Sequence, residues 1–170
     1  MAAITTLATE LGATLKARGL VLALAESCTG GMATEAVTSI AGSSAWFDRA
    51  FITYSNQAKI DMLNVAKTTL ENHGAVSENT ALEMALGAIK HSAAQVSASI
   101  TGVAGPTGGT PAKPVGMVCF GFAIRDLTNN INSRTHTNYF EGDRESIRLQ
   151  AINAALLGLI TLLKDTTLSA

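Results

Sequence analysis

A chain of 170 residues is long enough to bury a sizeable core, and its composition argues against disorder, because 47% of the residues are hydrophobic and only 15% are charged. The formal net charge of −1 and the lack of any Lys/Arg run argue against a nucleic-acid surface and against an electrostatic membrane anchor. We therefore expect one globular domain over residues 1–170, with neither a nucleic acid nor a membrane as its partner.

Apolar periodicity and chain breakers predict helices and strands that alternate along the sequence. A helix over 2–18, ended by Gly19, precedes a wholly apolar run at 20–25, which is typical of a buried strand. The other predicted helices are 29–40, a segment capped by Asn56, 77–92 and 143–164, and the other predicted strands are 50–54, 96–101, 115–124 and 134–140. The last two strands follow each other through 125–133 without a helix, so we expect part of the sheet to be antiparallel. The pattern therefore predicts an α/β fold, a three-layer α/β/α sandwich with a mixed, mostly parallel sheet.

The cysteines and the N-terminus bear on the compartment. Cys28 and Cys119 lie far apart and match no redox or metal-ligand spacing, and two cysteines do not make a disulfide scaffold in a chain of this size. The first residues lack the basic start and apolar run of a signal peptide, and the apolar stretch 151–163 is too short to cross a bilayer. The sequence thus predicts a cytoplasmic protein.

Ser27 directly follows the first predicted strand, in the segment AESCTGG at 25–31. In open α/β sheets, ligands bind beyond the carboxyl ends of strands, where free N–H groups and the next helix dipole stabilise negative charge. Thr29, Gly30 and Gly31 share this turn, and paired glycines let a ligand approach the backbone closely. Spacing alone favours the simpler alternative, in which Ser27 or Thr29 is only a helix N-cap.

A second polar segment, YSNQAK at 54–59, follows another predicted strand. Lys59 could serve as the general base of a serine if burial lowers the pKa of its amine from about 10.4 toward neutrality. The alternative is a solvated helix residue. Tyr54 is either a core aromatic residue or a platform for a flat ligand ring.

Two further segments could bind an anion. The Gly/Pro-rich connection at 101–114 could surround a phosphate, although it has neither the P-loop nor the dinucleotide-fold spacing, and a purely structural turn is the alternative. Arg144 and Arg148 can share one face at the start of the last helix, where cations are unfavourable for the helix dipole. Either a bidentate contact to phosphate or ion pairs with neighbouring carboxylates would explain them.

The three histidines, His73, His91 and His136, are scattered and match neither a zinc site nor a Ser-His-Asp triad. Ser27 also lacks the GxSxG setting of the α/β-hydrolases. The sequence predicts no metal and no cofactor.

Taken together, these segments resemble the CinA C-terminal-domain family, the nicotinamide-nucleotide amidases. The matching stretches lie in the same order over nearly the whole chain: AESCTGG (25–31), GSSAWF (42–47), TYSNQAK (53–59), GAVSENTA (74–81), TGVAGPTGGTPAKPVGMV (101–118) and FEGDRESIR (140–148). The resemblance implies a three-layer α/β/α fold with a mixed sheet. It also implies a stand-alone form without the larger N-terminal domain of some relatives.

The resemblance further implies an activity, in which nicotinamide mononucleotide is deamidated to nicotinate mononucleotide and ammonia in pyridine-nucleotide salvage. Ser27 would be the nucleophile that forms an acyl-enzyme and Lys59 its general base, while the turn at 29–31 would hold the oxyanion. The implied pocket residues are Tyr54, Asn56, Thr101, Gly102 and Arg144, and either Arg144 or Arg148 would bind the 5′-phosphate.

The Ala-rich faces of the predicted helices, together with the oligomeric assembly that is usual in the resembled family, predict a homo-oligomer. Two alternatives stay open: a non-catalytic nucleotide-binding module with a regulatory or partner-binding role, and an amidase for a different substrate.

Overall fold

The computed structural model of the protein describes residues 2–166. Within this range, six α-helices and five strands follow one another along the chain. The helices are α1 (Ala2–Ala17), α2 (Met32–Thr38), α3 (Asn56–Leu63), α4 (Lys67–His73), α5 (Glu78–Lys90) and α6 (Arg144–Asp165). The strands are β1 (Leu22–Glu26), β2 (Phe47–Ile52), β3 (Val96–Gly102), β4 (Met117–Arg125) and β5 (Ile131–Tyr139).

The strands form one mixed sheet in the order β2-β1-β3-β4-β5. β1 pairs in parallel with β2 and β3, whereas β4 runs antiparallel to both β3 and β5. Of these five strands, only β4 is therefore reversed, since β5 again runs in the direction of β3. The predicted mixed, mostly parallel sheet is confirmed.

Helices cover both faces of the sheet, and the alternation along β1 shows how. Leu22 and Leu24 pack in a core cluster with α1, α2 and α6, whereas Ala23 and Ala25 pack in a second cluster with α3, α4 and α5. A strand that is buried on both faces needs apolar residues at every position, which is why 20–25 shows no polar alternation. The predicted three-layer sandwich is confirmed.

The C-terminal helix α6 is 22 residues long and, by length and composition alone, apolar enough to cross a membrane. Half of its most apolar stretch is buried inside the fold. Residues such as Ile152 and Leu159 lie in the core cluster that α6 shares with α1 and the sheet. α6 therefore packs as a core helix.

β2 and α4 differ from the sequence-based expectation, each for a local reason. β2 begins at Phe47 rather than at residue 50, because it is an edge strand and its exposed Asp48 and Arg49 interrupt the apolar pattern. The sequence does not predict α4, because this seven-residue helix buries Leu70 and has no apolar periodicity to reveal it.

Candidate active site

Three strand ends meet at one edge of the sheet and bring distant segments together. Glu26, the last residue of β1, lies in register with Ile52 of β2 and Ile100 of β3. A cavity of about 400 Å³ lies beyond these ends. The cavity is lined by six of the candidate residues from the sequence: Ser27, Tyr54, Lys59, Thr101, Gly102 and Arg144.

Lys59 and Ser27 contact each other at the wall of this cavity. Lys59 Nζ lies 3.1 Å from Ser27 Oγ and 2.8 Å from the carbonyl oxygen of Thr53. Lys59 stands on the first turn of α3 and is only 1% exposed, so it is not a solvated helix residue. The distance is the one that a nucleophile and its general base require.

Burial sets the proton affinities of the two side chains next to Ser27. It lowers the pKa of the Lys59 amine to about 8, because an ammonium group removed from water is disfavoured, and the Cys28 sulfur opposes this shift. Burial also raises the pKa of the Cys28 thiol to about 11. Lys59 can therefore accept a proton near neutral pH, while Cys28 stays a thiol, so the site supports Ser27 rather than Cys28 as nucleophile.

The carboxylate of Glu26, which the sequence analysis does not single out, organises the turn that carries Ser27. Glu26 is 0% exposed. Its donors, at 2.6–3.2 Å, are the Thr29 hydroxyl, the N–H groups of Gly31, Ala33 and Thr34, and the Thr34 hydroxyl. A charged residue at the end of an otherwise apolar strand is the signal that could have revealed it, because a buried carboxylate needs donors.

This arrangement corrects the expected role of the glycine turn. The N–H of Gly31 donates to Glu26 and that of Gly30 to the Ser27 carbonyl, and neither glycine lines the cavity. Both have positive φ, 57° for Gly30 and 101° for Gly31, so the helix starts only after them. The N–H groups of Cys28 and Thr29 donate to no oxygen within residues 2–166, and of these two residues only Cys28 lines the cavity. Cys28 is therefore the residue of the turn whose N–H is open to a ligand in the cavity.

Neither Ser27 nor Thr29 is a helix N-cap. The cap of α2 is Gly31, and the helix receives no hydrogen bond from a side chain at that position. Thr29 is fully buried and its hydroxyl lies 2.6 Å from Glu26, so Thr29 supports the turn instead of lining the cavity.

The two arginines of α6 have separate surroundings. Arg144 reaches the cavity, where Nη1 donates to the carbonyl oxygen of Gly105 at 2.8 Å and Nη2 to the Tyr54 hydroxyl at 3.3 Å. Tyr54 is 63% exposed, so it is not a core aromatic residue. Among the described residues, neither Arg144 nor Arg148 forms an ion pair with a carboxylate.

Arg148 contacts the back of the nucleophile turn instead of the cavity. Its Nε donates to the Cys28 carbonyl at 3.1 Å and its Nη2 to the Thr29 carbonyl at 2.8 Å. Arg148 does not line the cavity, so the structure does not support the expectation that it contacts substrate. Of the two arginines, Arg144 is the one that lines the cavity.

The remaining predicted pocket residues have local contacts of their own. Asn56 is exposed, lies outside the cavity lining and does not cap α3, because Ser55 Oγ is the capping acceptor. The Thr101 hydroxyl donates to the carbonyl oxygen of Ala75 at 2.7 Å. A Cβ on Gly102 would lie 2.8 Å from a carbonyl oxygen of β4, so the residue at this strand end has to be small.

The Gly/Pro-rich connection between β3 and β4 forms another wall of the cavity. Two long, positively charged side chains hold it in place. Arg144 binds the Gly105 carbonyl, and Lys113 Nζ donates to the carbonyl oxygen of His73 at the C-terminal end of α4. Residues 106–112 between these contacts are exposed. The connection is thus held by Arg144 of α6 and by its own Lys113, which reaches α4.

The cavity favours an anionic group, because Lys59 and Arg144 line it and no carboxylate does. Within residues 2–166, no group of three His, Cys, Asp or Glu side chains is arranged to hold a metal ion.

Comparison with known proteins identifies the family of the chain. The model of the CinA C-terminal domain family matches residues 4–163. The chain is 52% identical to nicotinamide-nucleotide amidohydrolase PncC of Enterobacter agglomerans, covering 94% of this chain and 93% of that protein. It is 50% identical to the Escherichia coli K12 protein of the same name, covering 88% of each. The crystal structure of competence/damage inducible protein CihA from Agrobacterium tumefaciens superposes with a TM-score of 0.86 at 44% identity, covering 94% of this chain and 95% of that one. The chain belongs to the CinA C-terminal domain family.

Proposed function

We propose that the protein is an amidohydrolase that converts nicotinamide mononucleotide to nicotinate mononucleotide and ammonia, with Ser27 as nucleophile and Lys59 as general base. The 3.1 Å contact between Lys59 Nζ and Ser27 Oγ in the cavity carries this proposal. The substrate comes from the relatives, because two proteins at 52% and 50% identity are named nicotinamide-nucleotide amidohydrolases.

The first half of the reaction forms an ester on the enzyme. Neutral Lys59 takes the proton of Ser27 Oγ as this oxygen attacks the carboxamide carbon, and the carbonyl oxygen becomes an oxyanion. The Cys28 N–H, which donates to no oxygen within residues 2–166, would stabilise that oxyanion, and the loss of such a donor costs about 100-fold or more in rate. Protonated Lys59 then gives the proton to the amide nitrogen, which leaves as ammonia.

The second half returns the enzyme to its starting state. Lys59, neutral again, takes a proton from water while the hydroxide attacks the ester carbon. Collapse of this second intermediate breaks the bond to Ser27 Oγ, which recovers its proton from Lys59. One amide bond and one water are consumed, and one carboxylate and one ammonium ion are formed, because ammonia takes up the proton that the new carboxylic acid releases. The low pKa of the buried amine allows both transfers near neutral pH.

Arg144 and Tyr54 are suited to orient the nucleotide. The Arg144 guanidinium is the cation at the cavity that can bind the 5′-phosphate, since Lys59 is committed to Ser27. The exposed ring of Tyr54, whose hydroxyl accepts from Arg144, offers a face to the cationic pyridinium ring. A substrate held at both ends presents its carboxamide to Ser27.

The test is ammonia release from nicotinamide mononucleotide. We expect turnover by the unaltered protein and a loss of about 1,000-fold or more in Ser27→Ala. Ser97→Ala is the matched control, because Ser97 is also buried but its hydroxyl donates to the Ala85 carbonyl away from the cavity. Ser97→Ala should keep its activity.

The alternatives make different predictions in the same assay. A non-catalytic nucleotide-binding module would bind the nucleotide and release no ammonia. An amidase for another substrate would prefer free nicotinamide or its riboside over the mononucleotide, which would contradict the role of Arg144. The proposal includes a cytoplasmic homo-oligomer, whose mass light scattering of the purified protein would measure.

A further inference from the structure

The proposed mechanism leaves Glu26 without a role, although its buried carboxylate lies next to the nucleophile and accepts five hydrogen bonds. We propose that Glu26 is a positioning residue, whose carboxylate fixes the turn at 27–31 so that Ser27 Oγ faces Lys59 Nζ. This inference rests on the proposed function for its effect on turnover, and its structural part can be tested without turnover.

The main chain around Glu26 contacts both halves of the dyad. The Ser27 N–H donates to the Ile100 carbonyl of β3 at 2.9 Å, so the nucleophile is tied to the sheet on one side. The Thr53 N–H donates to the Glu26 carbonyl at 2.8 Å, and the Thr53 carbonyl in turn accepts from Lys59. Glu26 therefore links the end of β1, which precedes Ser27, to Thr53, the residue after β2 that contacts Lys59.

The side chain of Glu26 fixes the other end of the turn. Between the sheet contact of Ser27 and the start of α2 lie residues 28–31, two of which are glycines with positive φ. Such a segment has many conformations open to it. The bonds from the Thr29 hydroxyl and the Gly31 N–H to Glu26 Oε2, at 2.6 and 3.0 Å, select one of them.

All five partners of the carboxylate are donors, and this determines the most informative substitution. Glu26→Gln keeps the size of the side chain but turns one acceptor oxygen into an amide donor, which then faces N–H and O–H groups. A buried donor without an acceptor is costly, so the turn should rearrange. Glu83→Gln is the matched control, because Glu83 accepts from the Ala66 N–H and the Thr69 hydroxyl at the start of α4, outside the cavity lining.

Substitutions of two threonines distinguish a positioning role of Glu26 from general stabilisation of the fold. The Thr29 and Thr34 hydroxyls each donate to one oxygen of Glu26 at 2.6 Å, but Thr29 lies in the turn and Thr34 lies in α2. Thr29→Val and Thr34→Val each remove one donor to the same carboxylate. If Glu26 only stabilised α2, the two variants would affect catalysis alike.

The experiment measures kcat and KM for ammonia release and, separately, the rate of iodoacetamide alkylation at Cys28 by peptide mass spectrometry. We expect Glu26→Gln to lower kcat about 100-fold with KM changed less than about threefold, since misplacing a reacting group by about 1 Å costs this much. Cys28 alkylation should become about tenfold faster, because the thiol is 7% exposed while the turn is in place. Cys119, fully buried in β4, is the internal reference.

Thr29→Val should lower kcat about tenfold and Thr34→Val less than about twofold, while Glu83→Gln changes neither kcat nor Cys28 alkylation. Normal kcat and normal alkylation in Glu26→Gln, or equal kcat losses in the two threonine variants, would overturn the inference. If Glu26→Gln does not fold, the threonine pair still decides. If the unaltered protein released no ammonia, the proposed function would fail, and the alkylation rates would still test whether Glu26 holds the turn.

Discussion

The two main-chain segments that border the cavity are held in opposite ways. The turn at 27–31 is short. One of its N–H groups bonds to the buried carboxylate of Glu26 on one side, and two of its carbonyl groups bond to the half-buried Arg148 on the other. The β3–β4 connection is long and exposed over residues 106–112, and it is held through Gly105 and Lys113.

This difference fits a division of roles, in which the turn at 27–31 carries the reacting group and the β3–β4 connection receives the substrate. A nucleophile must be held close to its productive geometry, and its turn is bonded both to Glu26 and to Arg148. A segment that receives a substrate has to adjust to it, and exposed loops commonly carry that role. Substitutions at the turn should therefore change kcat, whereas those at the β3–β4 connection should change KM.

The largest effect should come from Lys59→Met on the chemical side of the cavity. Met has a similar length but no amine, so the general base is lost and kcat should fall about 1,000-fold or more. The melting temperature should not fall, because the substitution also removes an amine whose burial disfavours its charged form. Ammonia release and thermal unfolding check both parts, and an unfolded variant would contradict the second.

The pH dependence should follow the same amine. Below a pKa of about 8, Lys59 is increasingly protonated and cannot act as a base, so kcat/KM should rise about tenfold per pH unit up to pH 8 and then level off. The Cys28 thiol, with its pKa near 11, does not titrate in that range. A rate profile that stays flat from pH 6 to 9 would contradict Lys59 as the base.

Stability should depend on pH through the same group. The folded pKa of Lys59 is about 8 and its ordinary value is 10.5, so the unfolded chain binds more protons between these values. The contribution of Lys59 to the free energy of unfolding should therefore rise with pH across that window by up to about 3 kcal/mol. The Cys28 thiol, whose pKa burial raises from 9.0 to about 11, contributes in the opposite direction above pH 9 in both proteins, so the difference between the unaltered protein and Lys59→Met in denaturant titrations at pH 7.5 and 10.5 measures the Lys59 contribution.

Substitution of Arg144 should mainly raise KM, whereas substitution of Arg148 should mainly lower kcat. Arg144→Met should raise KM for the mononucleotide about 30-fold and leave kcat within about threefold, because a charge-assisted contact to phosphate is lost. Arg148→Met should lower kcat about tenfold and lower the melting temperature, because two carbonyl groups lose their donor. Measuring both constants on the mononucleotide and on the riboside tests this. Equal effects on the two substrates in Arg144→Met would remove its phosphate role.

The smallest effect should come from Lys113→Met, which frees the β3–β4 connection from α4. We expect KM to rise about threefold, with kcat unchanged and the melting temperature shifted by less than about 2 °C, because the contact is a single exposed one. Lys67→Met is the matched control, since Lys67 is an exposed lysine of α4 that pairs with Glu71. A kcat loss in Lys113→Met would show that this wall of the cavity also serves the chemistry.

Much of the fold could be predicted because burial leaves a local pattern. The run at 20–25 is apolar at every position since both faces of β1 are covered, and that pattern locates the strand end at which Ser27 stands. Elements with weak burial were harder to predict: β2 is an edge strand with an exposed start, and α4 buries little. The sequence predicts the start of α2 at residue 29, three residues too early, because positive φ at Gly30 and Gly31 is set by the bonds of the turn.

The sequence by itself determined the order of elements, the layered α/β class and the presence of a serine and a lysine after neighbouring strands, because these follow from local periodicity and from the rule that sites lie at strand ends. Only the tertiary structure decided the tasks of the charged side chains. Helical spacing puts Arg144 and Arg148 on one face, yet one reaches the cavity and the other holds the turn. The pKa of Lys59 likewise depends on burial against segments far away along the chain, and no local pattern can supply the partners that remove a group from water.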